Sequence, residues 1–293
     1  MKPLITIFTP TFNRGYILPT LYKSLQSQID QNFEWLIVDD GSTDNTEEII
    51  NNFIEENQIE IRYVYQKNSG KHFTINVGAR LANGELFFIV DSDDYLAPTA
   101  ISILSERFLK IKDNPHIAGI AVGCYSISDP TKRIFSKDLP ANNFLSTYND
   151  LVFKEGIRGD FATAFKTEIQ RQFPYPIFQN ENFMRESIVY RRIGKKYKTL
   201  YIDDPIYFAE YLPDGLTADS WQRLKRNPLG ASLFFKELSR EKIPVREKLI
   251  ALNAYWDIQL NHVNSKLFNK FMPVSFFLSM LVLINRKWKL FRL

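Results

Sequence analysis

Apolar positions in residues 1–115 alternate between two patterns. Short β-prone runs at 4–9, 34–39, 61–65 and 86–90 end in turn residues, which predicts buried strands. Between and after them, apolar side chains recur at helical spacing. Ile17, Leu18, Leu21 and Leu25 make one face. Ile49, Ile50, Phe53 and Ile54 make a second, entered through Asp44 as N-cap with Glu47 three residues on. Ile101, Leu104, Phe108 and Ile111 make a third, stopped by Asn114-Pro115. This order predicts an α/β domain whose mostly parallel central sheet carries helices on both faces. A further strand is expected at 117–125, a polar excursion over the active face at 126–149, and helical patterning at 182–192. From Leu224 onward the chain reads as helices. The expected organisation is a domain over 1–215, with halves 1–115 and 116–215, and a helical C-terminal extension over 216–293.

The run at 86–90 ends abruptly in Asp91-Ser92-Asp93-Asp94. Ligands of open α/β sheets collect at the carboxyl ends of strands. Asp91 and Asp93, two apart, leave the same side of an extended backbone. Like charges held that close repel unless a cation lies between them or one is protonated. Oxygen ligands suit Mg²⁺ or Mn²⁺, which complete their shells with water and phosphates. The sequence thus points to a divalent-metal site on Asp91 and Asp93 that holds a diphosphate. The competing reading is a solvated acidic turn leading into the next helix, with Pro98 at its first position.

Two more polar clusters end the first two strands: Thr9-Pro10-Thr11-Phe12-Asn13-Arg14 and Asp39-Asp40-Gly41-Ser42-Thr43-Asp44. Three strands therefore deliver hydroxyls, an Arg and carboxylates to one edge, where carboxylates can accept from ribose hydroxyls or a base N–H. No glycine cradle holds the phosphates. Ser69-Gly70-Lys71-His72 matches only the tail of a P-loop, and no G-x-G-x-x-G follows the first strand. Lys71 could assist the metal in neutralising phosphate; a solvated surface charge is the alternative. His72 reads as a packing or hydrogen-bonding residue.

Composition narrows the classes. A net charge of +4 is too mild to argue for a nucleic-acid partner. Cys124 is the single cysteine and His72, His116 and His262 are scattered, so neither a disulfide framework nor a zinc site is expected. The N-terminal run reads as a core strand rather than a signal peptide, and the expected location is the cytoplasm.

Thr9-Pro-Thr-Phe-Asn-Arg, Val38-Asp-Asp-Gly-Ser-Thr-Asp, Asn76-Val-Gly-Ala-Arg and Val90-Asp-Ser-Asp-Asp, in this order, resemble the family 2 inverting glycosyltransferases of the GT-A fold. The resemblance covers 1–110 strongly, weakens to about 215 and ends there. It implies a GT-A fold, a nucleotide-sugar donor (usually a UDP-sugar) and a divalent metal, Mn²⁺ or Mg²⁺. By position it places Asp40 on the nucleotide base, Asp91 near the ribose or donor sugar and Asp93 on the metal, with Thr9, Thr11 and Asn13 in the nucleotide pocket. Asp39 and Asp94 would order their turns.

Inversion needs a base on the acceptor hydroxyl. In the resembled family this is usually the Asp of a Glu-Asp pair with an Arg six residues on. No Glu-Asp occurs here. Glu186 stands six before Arg192 and takes the position by spacing; Glu181 is the alternative, and Glu186 could instead pair with Tyr190 or Arg192 on an exposed helix. Asp160, before the apolar run 161–165, is the acceptor-side candidate. The missing pair leaves open a non-catalytic sugar-nucleotide-binding subunit or scaffold of a polysaccharide assembly. A nucleotidyltransferase would want a Gly-rich loop after the first strand, which 9–14 lacks.

Residues 271–284 are almost wholly apolar, followed by Asn285-Arg286-Lys287-Trp288-Lys289-Leu290-Phe291-Arg292-Leu293. This is too short to span a bilayer, which needs about 20 residues. An apolar helix with a basic, aromatic end suits the inner leaflet's surface, making the protein peripheral and its acceptor lipid-linked, as in bacterial surface-polysaccharide synthesis. The alternatives are a helix packed on the catalytic domain and a dimer contact.

Overall fold

A computed structural model describes residues 2–210, 220–263 and 275–290. The chain divides into two compact units: Met1–Tyr175 with Val189–Leu212, and Pro176–Ile188 with Pro213–Leu293. The boundary expected at 215/216 lies outside the described residues, as do 271–274 and 291–293 of the apolar and basic tail.

The chain runs β1 (Ile5–Thr11), α1 (Leu18–Gln26), β2 (Phe33–Asp39), α2 (Thr46–Glu56), β3 (Ile61–Tyr65), α3 (Lys71–Leu81), β4 (Leu86–Ile89), β5 (Tyr95–Leu96) and α4 (Ala100–Ile111). It continues through β6 (Ile117–Ser126), β7 (Phe144–Ser146), α5 (Tyr148–Phe153), β8 (Phe161–Lys166), α6 (Thr167–Gln172), α7 (Ser187–Gly194) and β9 (Lys198–Ala209). The strands form one sheet in the order β3-β2-β1-β4-β8-β6-β9-β5, with β7 on β9. From β3 to β4 all pairs are parallel. β8 is antiparallel to both β4 and β6, while β9 is parallel to β6.

Period-two alternation explains the layers. Ile5, Ile7, Trp35, Ile37, Leu86 and Phe88 pack with Leu18, Leu21 and Leu25 of α1, Ile50 and Phe53 of α2, and Ile101, Leu104 and Phe108 of α4. The alternate side carries Phe8 and Phe87, stacked with centroids 4.9 Å apart. There α3 lies so close that a Cβ on Gly78 would meet Phe8 Cε2 at 2.1 Å. Both faces of the mostly parallel half are therefore covered, as the alternation predicts.

Four local expectations are corrected. Asp44 does not cap α2, which begins after Asn45 with no side-chain cap bond. Its carboxylate accepts instead from the Thr46 N–H (3.1 Å) and the Gly15 N–H (3.3 Å), knitting two loops. Pro98 is not the first residue of α4, which starts at Ala100 after Thr99. Helix α7 starts at Ser187, so 182–186 is not helical and Glu186 lies in the turn before it. Helix α3, unexpected from the sequence, brings Lys71 to its first turn.

The second unit contains α8 (Ser220–Arg226), α9 (Pro228–Arg240), α10 (Val245–His262) and α11 (Phe276–Leu290). Asn227 Oδ1 accepts from the N–H groups of Asn182 (2.8 Å) and Phe183 (3.1 Å), fastening 176–188 to these helices. Among the described residues no helix is long and apolar enough to cross a membrane.

Candidate active site

Strand β4 stops at Ile89, and the backbone turns back on itself as the Asp94 N–H donates to the Asp91 carbonyl at 3.2 Å. This turn, rather than the extended geometry expected, gathers the carboxylates: Asp91, Asp93 and Asp94 offer oxygens within 4.8 Å of one another. Asp91 and Asp93 are half-buried and Asp94 is buried. The turn is braced from below by Tyr207 of β9, whose phenol donates to Asp94 Oδ2 and accepts from the Asp91 N–H at 3.2 Å. Burial, with the neighbouring Asp91 charge, pushes the Asp94 carboxyl well above its ordinary range; donation from Tyr207 opposes this without cancelling it.

Two cations reach the turn. Lys71 Nζ lies 2.7 Å from the Asp91 carboxylate. Arg14 Nη2 lies 3.9 Å from Asp93 Oδ2. Asp40 sets the position of Lys71. One of its oxygens accepts from Gln66 Nε2 (2.7 Å) and the Ser69 N–H (2.8 Å), the other from the Gly70 N–H (2.7 Å). These bonds fix the turn that enters α3, where Gly70 takes φ +91°, a conformation that favours glycine. Burial raises the Asp40 carboxyl despite the three donors.

The remaining candidates distribute differently. Thr9 is fully buried with Oγ1 accepting from Trp35 Nε1 at 2.9 Å, so its side chain serves the core. Thr11 is buried beside Asp39 in the β1–β2 register, and its carbonyl accepts from the Asp40 N–H at 2.8 Å. Asn13, at φ +53°, donates its N–H to Ser42 Oγ and accepts from the Thr43 N–H, both at 2.8 Å. It clasps the first two strand-end loops together. Asp39 orders the same loop by accepting from the Ser42 N–H at 2.8 Å and the Tyr63 hydroxyl at 3.0 Å. Asp160 is exposed just before β8; the pairing of Phe88 with Ala164 brings that end of β8 to the carboxyl edge of β4. Thus Asp40, Lys71, Asp91, Asp93 and Asp160 share one edge of the first unit.

Glu181 and Glu186 belong to the second unit. Glu181 accepts from the N–H groups of Leu229 (2.6 Å) and Gly230 (2.8 Å), the free donors at the start of α9. Burial raises its carboxyl against the pull of those two bonds. That engagement gives Glu181 a structural task. Glu186 precedes α7.

Sequence reasoning missed Tyr207 and Gln66, which carry no motif and act only through strand pairing. It also missed Phe12, a 46 % exposed aromatic just beyond β1 that offers a flat apolar surface to a ring. The carboxylates of one turn, two of them accessible, make an oxygen donor set that fits Mg²⁺ or Mn²⁺.

A family model described as "Glycosyl transferase family 2" matches residues 6–172, which is more than half of the 293 residues and spans β1 to α6. The chain belongs to glycosyl transferase family 2. Among similar sequences, the GalNAc(5)-diNAcBac-PP-undecaprenol beta-1,3-glucosyltransferase of Campylobacter jejuni is 28 % identical over 244 residues, covering 82 % of this chain and 75 % of that protein. Glycosyltransferase GlyG of Streptococcus pneumoniae is 35 % identical over 126 residues, 43 % of this chain and 40 % of that one. The match therefore spans less than half of GlyG but most of the Campylobacter protein. Among solved structures, Staphylococcus aureus TarS 1-349 with UDP-GlcNAc aligns with TM-score 0.62 and 16 % identity over 94 % of this chain and 77 % of that one. The mannosyltransferase PcManGT of Pyrobaculum calidifontis, solved with GDP-Man and Mn²⁺, aligns at 0.57 and 20 % identity over 89 % and 71 %. The family 2 chain thus has the GT-A type of fold that its strand order and carboxyl edge suggest.

Proposed function

We propose that the protein is an inverting, metal-dependent glycosyltransferase that moves a sugar from a nucleotide sugar, with UDP-sugars the first class to test, to a saccharide or lipid-linked acceptor in bacterial surface-polysaccharide assembly. The observation that carries this reading is the Asp91–Asp94 turn, with three carboxyl groups, Lys71 and Arg14 converging on one strand end. The undecaprenol-linked acceptor in the printed name of the Campylobacter relative supports the acceptor class. The Mn²⁺ and nucleotide sugar in the Pyrobaculum neighbour support the donor side.

In this reading Asp93 and Asp91 hold a divalent ion, which when bound offsets charge on the leaving diphosphate. Lys71 and Arg14 add positive charge to the same place. Phe12 faces the base, and Asp40 acts on the donor by fixing Lys71 as well as by edging the nucleotide pocket. Glu186 takes the proton of the acceptor hydroxyl; the oxygen bonds to the anomeric carbon as the bond to the diphosphate breaks on the opposite side, which inverts that centre. Asp160 borders the acceptor. The apolar and basic tail of residues 271–293, with a lipid-linked acceptor, makes the protein peripheral to the inner face of the cell membrane.

The test is a thermal-shift panel of UDP, GDP, dTDP and CMP with Mn²⁺, Mg²⁺ or EDTA. A native-state ligand raises apparent stability by RT ln(1 + [L]/Kd). One nucleotide should stabilise the wild type only with metal, and Asp93→Asn should lose the effect. Glu186→Gln should keep the shift and lose sugar transfer. No shift from any nucleotide would return the chain to a scaffold role.

A further inference from the structure

Helix α11 packs on α10 within the second unit, yet much of it faces outward. Ser279 and Val282 are buried. Phe276 (73 %), Phe277 (72 %), Met280 (41 %), Leu281 (45 %) and Ile284 (48 %) are exposed. Positions i, i+1, i+4, i+5 and i+8 fall on one contiguous side of a 3.6-residue helix. A helix facing water should be polar on that side; here it is apolar throughout, which marks a surface built to be covered.

Charge selects the occupant. Helix α11 contains no Asp or Glu, and residues 285–293 hold Arg286, Lys287, Lys289 and Arg292 with Trp288 and no acid. An apolar face next to a basic, Trp-bearing stretch matches a lipid surface, where acyl chains lie beneath anionic phosphates. Length then decides between spanning and lying flat. The apolar run of residues 271–284, closed by Asn285-Arg286-Lys287, would reach about 21 Å as a helix at ~1.5 Å per residue, short of a hydrocarbon core of ~30 Å.

We propose that α11 is an in-plane anchor that seats the second unit on an anionic bilayer, Phe276, Phe277, Met280, Leu281 and Ile284 entering the acyl boundary and the basic residues of 285–293 drawn to lipid phosphates. It deepens the peripheral placement proposed above and rests on the exposed face, the charge and the length of the apolar run, not on the donor-site assignment.

The experiment is flotation of the full chain with vesicles of phosphatidylcholine, alone or mixed with phosphatidylglycerol. The wild type should float with the mixed vesicles, more weakly with phosphatidylcholine alone, and less as salt is added. Partitioning should fall about tenfold for each Phe replaced in Phe276→Gln/Phe277→Gln, a loss of ~1.4 kcal/mol apiece. Lys287→Gln/Lys289→Gln, which leaves Arg286 and Arg292, should weaken the preference for anionic lipid while leaving the apolar face intact. Both variants should keep the metal-dependent nucleotide shift, so failure of the anchor and failure of the donor site read out separately. The proposal is overturned if the wild type stays unbound with every vesicle or the double-Phe variant floats equally. It is also overturned if the wild type is a dimer that this variant turns into a monomer without any flotation, which would assign the face to a second copy.

Discussion

Tyr207→Phe removes one oxygen from beneath the acidic turn and little else. The ring of Tyr207 packs edge-on to Phe88, with centroids 6.0 Å apart at 68°, and a phenylalanine keeps that contact. What disappears is a bond donated to the buried Asp94 carboxyl and an acceptor for the Asp91 N–H. A hydrogen bond contributes about 0.5–1.5 kcal/mol between neutral groups and ~1.5–3 to a charged one, and an orphaned buried group costs about 1–3. If the turn stays rigid, the loss appears entirely as lowered stability. If the turn relaxes, Asp91 and Asp93 drift and part of the loss moves into metal affinity. Groups that orient metal ligands typically alter affinity by about 10–100-fold when removed. We expect the second outcome, because the Asp91–Asp94 backbone bond is long at 3.2 Å and Tyr207 is bonded to both ends of the turn, to the Asp91 N–H and to the Asp94 carboxyl. The assay titrates Mn²⁺ while following the UDP-dependent thermal shift, alongside kcat at saturating metal. The metal midpoint should rise about 10–100-fold, with kcat recovering once metal saturates. An unchanged midpoint beside a lowered Tm would show that Tyr207 only packs, and would refute the bracing argument.

Two predictions concern stability and its pH dependence. Glu34 is fully buried, accepting from Thr6 Oγ1 (2.6 Å), Arg62 Nη1 (2.9 Å) and the Asn83 N–H (2.6 Å); burial pushes its carboxyl up, but these bonds outweigh it and leave it below the ordinary value. Its stabilisation is present above the unfolded value of ~4.3 and fades as pH falls below it, so urea unfolding should show a steeper acid loss in wild type than in Glu34→Gln, which itself costs on the order of 2–4 kcal/mol; parallel slopes would contradict the assignment. His72 is buried and its imidazole is lowered to about 4 by desolvation. The unfolded chain takes up that proton near ~6.5, so stability should fall by up to about 3 kcal/mol between ~6.5 and 4, and His72→Phe should flatten that window in a pH series of unfolding curves.

The strands were legible because each is a short apolar run closed by turn residues; the run at 61–65 is the observed β3. The carboxyl edge followed, since Asp40 and Asp91 stand where two such runs stop. Helix α3 was not legible. It carries Asn76 and Gly78 where a helical face would carry large apolar residues, because it lies against Phe8 with no room for a side chain on Gly78. A helix that packs through its backbone leaves little periodicity to read. Tyr207 was hidden for another reason: it meets Asp94 across 113 positions, through a register jump in β9 between the partners of Val122 and Cys124. Nothing local distinguishes it from any aromatic strand residue. The Thr9 and Asn13 side chains, read as pocket residues, are engaged in holding the strand ends, since the loops of this edge must be tied together before they can present anything.

Charge at the acidic turn argues that ion and nucleotide bind cooperatively. Asp91, Asp93 and Asp94 are met by two cations, Lys71 and Arg14. With Asp94 neutral the five groups sum to zero; with Asp94 ionised they sum to minus one. On either count these five groups hold no surplus positive charge for a diphosphate, whose phosphates carry roughly one to two negative charges each at neutral pH. A nucleotide alone would meet carboxylates already repelling it, and Lys71 would have to leave Asp91 to reach it. A divalent ion held by Asp91 and Asp93 would reverse the sign of the site and would free Lys71 to meet the phosphates. Nucleotide and ion should therefore raise each other's affinity, by the same factor in both directions. Mn²⁺ affinity measured with and without UDP, and UDP affinity with and without Mn²⁺, should yield one coupling factor well above unity. A nucleotide that binds equally well in EDTA would mean that Lys71 and Arg14 suffice, and the metal would drop out of the mechanism.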